Sequence, residues 1–220
     1  MPRSRSLKER FSDENLNVKE SKRLVVMGAA GVGKSSVISQ FLYGKFDEKY
    51  RETVEDLHTR EFDINGHTLH LEVLDTSGSF SFPAMRKLSI ASGDVFVLVY
   101  AISDKESLEE VTRLRNQILE QKGGKATSII VVGNKSDLEE ERKVEKDDVE
   151  SLTYQWDLEH IETSAKDNSN IERVFKEVLK SAKLPTHLMS SILIRQKSLP
   201  SEIHQPKDRH GQKKEACVIS

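Results

Sequence analysis

Gly28-Ala-Ala-Gly-Val-Gly-Lys34-Ser35 follows the apolar run Leu24 to Met27 and precedes a segment carrying Val37, Ile38 and Phe41. The eight residues fit G-x-x-x-x-G-K-[ST], and a strand before with a helix after is the context in which that pattern has a mechanism. Glycines let backbone N–H groups close around phosphate oxygens at a helix N-terminus. Gly28, Ala29, Ala30, Gly31, Val32 and Gly33 form the expected cradle, continued by Lys34, Ser35 and Ser36. Lys34 would neutralise β and γ oxygens, and the Ser35 hydroxyl would ligate Mg²⁺. Taken alone, the loop is open to an ATPase, a nucleotide kinase or a GTPase.

Outward from this loop, Leu24 to Met27, Val95 to Tyr100 and Ile129 to Val132 are continuously apolar and rich in β-branched residues. Such runs are expected of parallel strands covered on both faces. Leu108, Val111, Leu114 and Ile118 recur at helical spacing, as do Ile171, Val174, Phe175, Val178 and Leu179. Ser103 with Glu106 three residues later reads as a capping box at the start of the first of these helices. Asn65-Gly66 separates two strand-like runs, the second alternating as Leu69, Leu71 and Val73, which predicts a hairpin. The fold class that follows is α/β, with helices on both faces of a mostly parallel six-stranded sheet and one antiparallel edge strand. The expected domain spans 22–183, between a flexible extension over 1–21 and a flexible tail over 184–220.

Composition narrows the function. A formal net charge of −2 with 32% charged residues lacks the footprint of a duplex binder, so no nucleic-acid partner is expected. One cysteine makes no internal disulfide, and no cysteine pair or histidine cluster has zinc spacing. His67 and His70, three apart on a strand, face opposite ways. Arg3, Arg5, Lys8 and Arg10 are followed by no apolar signal core, and no apolar run reaches the 18 residues of a spanning helix. A cytosolic setting is expected.

Base choice is written after the third apolar run. Asn134-Lys135-Ser136-Asp137 is an N-K-x-D at the carboxyl end of a central strand, where open α/β sheets bind ligands. The Asp137 carboxylate can accept from the N1–H and 2-amino group of guanine, whereas adenine offers neither donor. Leaving a buried charged acceptor unpaired against adenine is worth discrimination of roughly 10⁴-fold. Ser164-Ala165-Lys166, after Thr163, supplies a backbone amide for the guanine oxygen and an aliphatic stem against the ring.

P-loop, N-K-S-D and E-T-S-A-K in this order resemble the Ras family of small GTPases, over essentially all of residues 22–182. The resemblance implies GTP and GDP as ligands with Mg²⁺, and a monomeric switch that meets effectors, exchange factors and GTPase-activating proteins. It makes Tyr50 to Asp56 switch I and the effector surface, with Thr53 as a Mg²⁺ ligand beside Ser35 and Asp75. Phe46 takes the position whose ring packs on guanine. Asp75-Thr76-Ser77-Gly78 resembles switch II, with Asp75 reaching Mg²⁺ through water and the Gly78 N–H reaching the γ-phosphate. Lys34, Thr53, Gly78 and Ser79 are the implied hydrolytic set.

Two residues depart from that pattern. Ser79 stands where most relatives carry the glutamine that orients the attacking water, and Ala30 stands where they carry glycine. Slow intrinsic hydrolysis is therefore expected, with the chain either biased toward its GTP form or reset by an activating protein that brings its own carboxamide, as for Rap-type GTPases. The stretch Phe82-Pro83-Ala84-Met85 is similar to the Rhes/Dexras and Di-Ras branches. Gly93-Asp94-Val95-Phe96 and Ala182-Lys183-Leu184-Pro185 lean toward Rhes/Dexras.

The chain ends in Cys217-Val-Ile-Ser220, a C-a-a-X of farnesyl type. Residues 181–220 hold seven Lys/Arg against three Asp/Glu, a second membrane signal beside one lipid. The expected location is the cytoplasmic face of the plasma membrane, with a cytosolic pool. A largely GTP-loaded, nearly non-hydrolysing scaffold is the alternative to a regulated switch. A P-loop ATPase or kinase is disfavoured by Asp137.

Overall fold

A computed structural model describes residues 19–64, 67–78, 83–123 and 127–183. Six strands form one sheet in the order β2-β3-β1-β4-β5-β6: β1 Lys19–Gly28, β2 Glu55–Ile64, β3 His67–Thr76, β4 Val95–Ala101, β5 Ser128–Asn134 and β6 Glu159–Glu162. β2 runs antiparallel to β3, from Glu55 opposite Thr76 to Ile64 opposite His67, and the other ladders are parallel. The mostly parallel sheet with an antiparallel edge is the architecture expected from the sequence. The Asn65-Gly66 turn itself lies outside the described residues. β1 opens at Lys19, ahead of the apolar run Leu24 to Met27 read from the sequence, because its ladder with β3 already begins where Lys19 faces Thr68.

Among the described residues, five helices cover the sheet: α1 Lys34–Tyr43, α2 Pro83–Ser92, α3 Lys105–Lys122, α4 Lys146–Gln155 and α5 Ile171–Ser181. Side chains alternate across a strand, so Leu24 and Val26 of β1 enter one core layer while Val25 and Met27 enter the other. The first layer packs Val37, Ile38 and Phe41 of α1 and Val174, Phe175 and Val178 of α5. Val111, Leu114 and Ile118 of α3 fill the second with Ile90 of α2 and Val149 of α4. Both helical stripes read from the sequence thus face the sheet, and β4 is buried along its whole length.

The cap of α3 corrects one reading. The capping residue is Asp104, not Ser103: its backbone is extended (φ −137°) and its Oδ1 accepts the Glu106 N–H at 3.1 Å. A carboxylate at this position both accepts the free amide and complements the positive helix end, which moves the helix start one residue along from the serine.

Parallel order places the carboxyl ends of β1, β3, β5 and β6 along one edge of the sheet. The chain leaves β1 for neighbours on either side, β3 on one and β4 on the other. That switch point is where open α/β sheets form their binding crevice.

Candidate functional site

The loop from Gly28 to Gly33 passes between β1 and α1 with backbone angles few side chains tolerate. Gly33, the residue before α1, has φ +95°, and a Cβ there would collide with the Asn134 amide nitrogen. A Cβ on Gly28 (φ +150°) would strike the Val99 carbonyl. Glycine is required at both by space as well as by torsion. The Val32 side chain turns into the core, so that this residue serves the cradle through its backbone.

Lys34 is 6% exposed, and its Nζ donates to the carbonyls of Gly28 at 3.1 Å and Ala29 at 2.8 Å. Loss of solvent pushes its pKa down to about 8, with the Asp75 charge pulling the other way. Asp75, at the end of β3, is 2% exposed and its Oδ1 has no hydrogen-bond partner. Burial raises its pKa, opposed by the Ser35 hydroxyl and by Lys34. The Ser35 and Thr53 hydroxyls lie 2.8 Å apart. Three oxygen groups from α1, the loop before β2 and the end of β3 therefore converge, one of them a buried carboxylate with an unused oxygen. That is a hard-donor set suited to a small divalent cation.

The second half of the site lies at the ends of β5 and β6. Lys135 is held at φ +68°, a strained angle for a side chain with a Cβ. The turn is fixed by Leu138 N–H to the Lys135 carbonyl, Ser136 N–H to the Thr163 carbonyl and Thr163 N–H to the Gly133 carbonyl. Asp137 Oδ1 accepts from the Ser164 hydroxyl at 2.6 Å, and the Ser164 Oγ in turn accepts the Asp167 N–H at 3.0 Å. The carboxylate is thus held through Oδ1, and Asp137 lines the cleft.

Asn134 joins the two halves. Its Nδ2 donates to the Val32 carbonyl in the phosphate loop at 2.9 Å, and its Oδ1 accepts from the Thr163 hydroxyl and the Ala165 N–H, each at 3.2 Å. Gln40 of α1 adds a second tie, donating to the Ala165 carbonyl at 2.9 Å. The sequence reading missed Gln40. The signal was a glutamine on the apolar side of an amphipathic helix, buried to 8% exposure.

One cleft of about 810 Å³ takes in both halves. It is lined by Ala30, Gly31, Gly33, Lys34, Ser35 and Ser36 from the loop and α1, and by Phe46 and Thr53 between α1 and β2. Asp75 and Gly78 close it on one side, and Asn134, Lys135, Asp137, Ala165 and Lys166 on the other. Gly28, Ala29, Val32 and Ser164 stand behind this lining as supports. A Cβ on Gly78 would overlap the Ala30 backbone, so the segment after β3 lies directly on the phosphate loop. Tyr43, Ser39 and His58 also line the cleft and were not singled out from the sequence. Ser79 and Cys217 lie outside the described residues.

The Ras family model matches residues 23–184. This chain belongs to the Ras family. It is 42% identical to the "GTP-binding protein Rhes" of Homo sapiens over 191 residues, covering 82% of this chain and 71% of that protein. The Rhes of Mus musculus is likewise 42% identical over 189 residues, with 81% and 71% covered. The "GTP-binding protein Di-Ras2" of Pongo abelii is 42% identical over 165 residues, with 74% and 83% covered. These relatives place the chain near the Rhes and Di-Ras branches among Ras-family small GTPases. The chain is thus a GTP hydrolase of that family, and its glycine-rich loop, the Asn134 to Asp137 turn and the segments around Thr53 and Gly78 line one cleft.

Proposed function

We propose that this Ras-family GTPase is a membrane-tethered GTP/GDP switch with slow intrinsic hydrolysis. The observation that carries the reading is the single cleft shared by Lys34 and Asp137, one suited to a phosphate chain and the other to a guanine edge. Guanine would lie between Lys135, Lys166 and Phe46, its N1–H and 2-amino group donating to Asp137. Phe46 is 38% exposed at the cleft, which leaves a ring face free to cover the base.

Ser35, Thr53 and Asp75 would hold Mg²⁺, and the unpartnered Asp75 Oδ1 is the atom whose burial the ion, or a water on it, would offset. When bound, the ion draws charge from the β and γ oxygens. Lys34 would leave the Gly28 and Ala29 carbonyls for the phosphates. Thr53 and Gly78 would present backbone N–H groups to the γ-phosphate, so that its loss frees the two segments they belong to. That release is what effectors, exchange factors and activating proteins would read, the effectors on residues 50–56.

Slow turnover is supported by Ser79, too short to orient a water, and by Ala30, which lines the cleft where Gly78 closes on it. Removing one positioned polar group costs about 10²–10³ in rate. Against an ordinary Ras baseline of about 4 × 10⁻⁴ s⁻¹, a half-life of about half an hour, even a roughly tenfold loss would leave GTP unhydrolysed for hours and the full loss for days or longer. Calorimetry with Mg²⁺ tests the reading first: GDP and GTP are expected to bind and ADP to bind far more weakly. Single-turnover hydrolysis then compares wild type with Ser79→Gln and Ala30→Gly. Equal affinity for ADP would overturn the guanine assignment, and wild-type hydrolysis at the ordinary Ras rate would overturn the slow switch.

Membrane attachment rests on Cys217 and the basic tail, as a lipid plus a polybasic segment meets the two-signal requirement. No helix among the described residues is long and apolar enough to cross a bilayer. A fluorescent fusion is expected to leave membranes on Cys217→Ser. Its retention there would remove the lipid from the account.

A further inference from the structure

Arg142 touches neither the cleft nor any residue already given a role, yet its guanidinium is completely engaged. A guanidinium carries five N–H donors in a fixed fork, and all five find acceptors. Nε and Nη2 donate to the two carboxylate oxygens of Glu139 at 2.8 and 2.7 Å. Nη1 and Nη2 donate to those of Glu162 at 2.8 and 3.0 Å, and Nη1 also reaches the Val144 carbonyl at 3.0 Å. One cation thus makes two bidentate pairs, the geometry in which arginine and lysine are least interchangeable.

The two carboxylates come from the two sides of the base site. Glu139 follows Asp137 by two residues and opens a short 3₁₀ turn, Glu139–Glu141, closed by the Arg142 N–H on the Glu139 carbonyl. Glu162 ends β6 and precedes by two residues Ser164, the donor to Asp137. We infer that Arg142 is a positioning residue for guanine recognition, clasping the Asp137 turn to the Ser164 loop from outside so that the Asp137 carboxylate is fixed before the base arrives. This inference rests on the guanine reading given above.

The two arms differ in strength. The Arg142 and Glu162 side chains are 12% and 15% exposed, while Glu139 is 66% exposed. A partly buried bidentate pair is screened little by solvent, and an exposed one contributes little on its own. Glu162 is therefore the anchor, and Glu139 sets the direction from which the turn is held. Pre-organising an acceptor in this way removes an ordering cost from binding. It acts on the release rate and on how sharply the 2-amino group is sensed.

The test loads the full-length chain with a fluorescent GDP analogue in Mg²⁺, chases it with excess unlabelled GDP, and measures competition by GDP against IDP, whose hypoxanthine lacks the 2-amino group. Arg142→Met is expected to release nucleotide about tenfold faster, the effect of weakening one charge-assisted hydrogen bond, and to narrow the preference for GDP over IDP. Arg142→Lys should fall between, since an ammonium cannot form two forks, and Glu139→Gln should give a smaller change of the same sign. If Arg142→Met does not fold, the lysine and glutamine variants decide the matter by the same two readouts. A role in fold stability alone would lower the melting temperature while leaving the release rate and the GDP/IDP ratio at wild-type values, and that result would overturn the clasp. A wild-type chain that holds GDP and IDP equally would instead bring down the guanine reading, and the clasp with it.

Discussion

Lys34 links protonation to binding. Burial holds its pKa at about 8 against an ordinary 10.5, so above pH 8 the free site carries a growing share of neutral amine. A phosphate chain favours the ammonium and raises the pKa in the complex. The sign follows: below pH 8 Lys34 is charged in both states and affinity is flat, while above it binding takes up a proton and affinity falls. The loss is expected to approach about tenfold per pH unit until the pKa of the complex is reached. Calorimetry in two buffers of different ionisation enthalpy at pH 9 would reveal the proton taken up, and Lys34→Gln would abolish it. No buffer dependence at pH 9 would contradict the depressed pKa. Lys34 and Asp137 were legible in the sequence because the motif itself carries the chemistry. Asn134 was legible only as part of N-K-x-D. Its tie to Val32, like the tie from Gln40 to Ala165, joins residues 102 and 125 positions apart, and its acceptor is a backbone carbonyl that any residue provides. No local pattern encodes such a partner. Arg142 escaped for a related reason, since a charged residue after three glutamates reads as solvated surface until the fold brings Glu162 beside it.

Among the elements, three central strands and the helices α3 and α5 announce themselves, because each buries a wide apolar stripe. α1 was recognised from the P-loop it follows as much as from Val37, Ile38 and Phe41. The helices α2 and α4 went unread. Each has two buried residues, Ser89 and Ile90 in α2 and Val149 and Thr153 in α4, and one of each pair is polar. A stripe that narrow does not rise above the background of a charged segment. Their position serves the site differently. α2 packs on α3, where Arg86 lies 3.8 Å from the nearly buried carboxylate of Glu110, a residue also held by Arg113 at 2.9 Å. α4 leads from the Arg142 turn into β6. Both are connecting elements between loops of the site, and weak burial leaves them freer to shift than the helices of the first core layer.

At the scale of the molecule, the cleft and the core layer behind it share α1, so stability and binding are coupled. The rings of Phe41 and Phe175 stack between α1 and α5, 4% and 2% exposed, directly beneath the helix whose N-terminus holds Lys34 and Ser35. Phe175→Ala removes a large buried ring without touching the cleft, at a cost of about 3–5 kcal/mol. That is a large part of the roughly 5–15 kcal/mol that holds a domain of this size folded. A ligand that binds only the folded chain restores about 2.7 kcal/mol at one hundred times its dissociation constant, whatever the origin of the loss. The variant is therefore expected to melt well below wild type without nucleotide and to recover much of the difference in GDP and Mg²⁺, while ADP gives no recovery. Circular dichroism melts of both chains in the three conditions check this. Recovery by ADP as strong as by GDP would mean that phosphate contacts alone couple to the core. Absence of any recovery would mean that the first core layer and the cleft unfold as separate units.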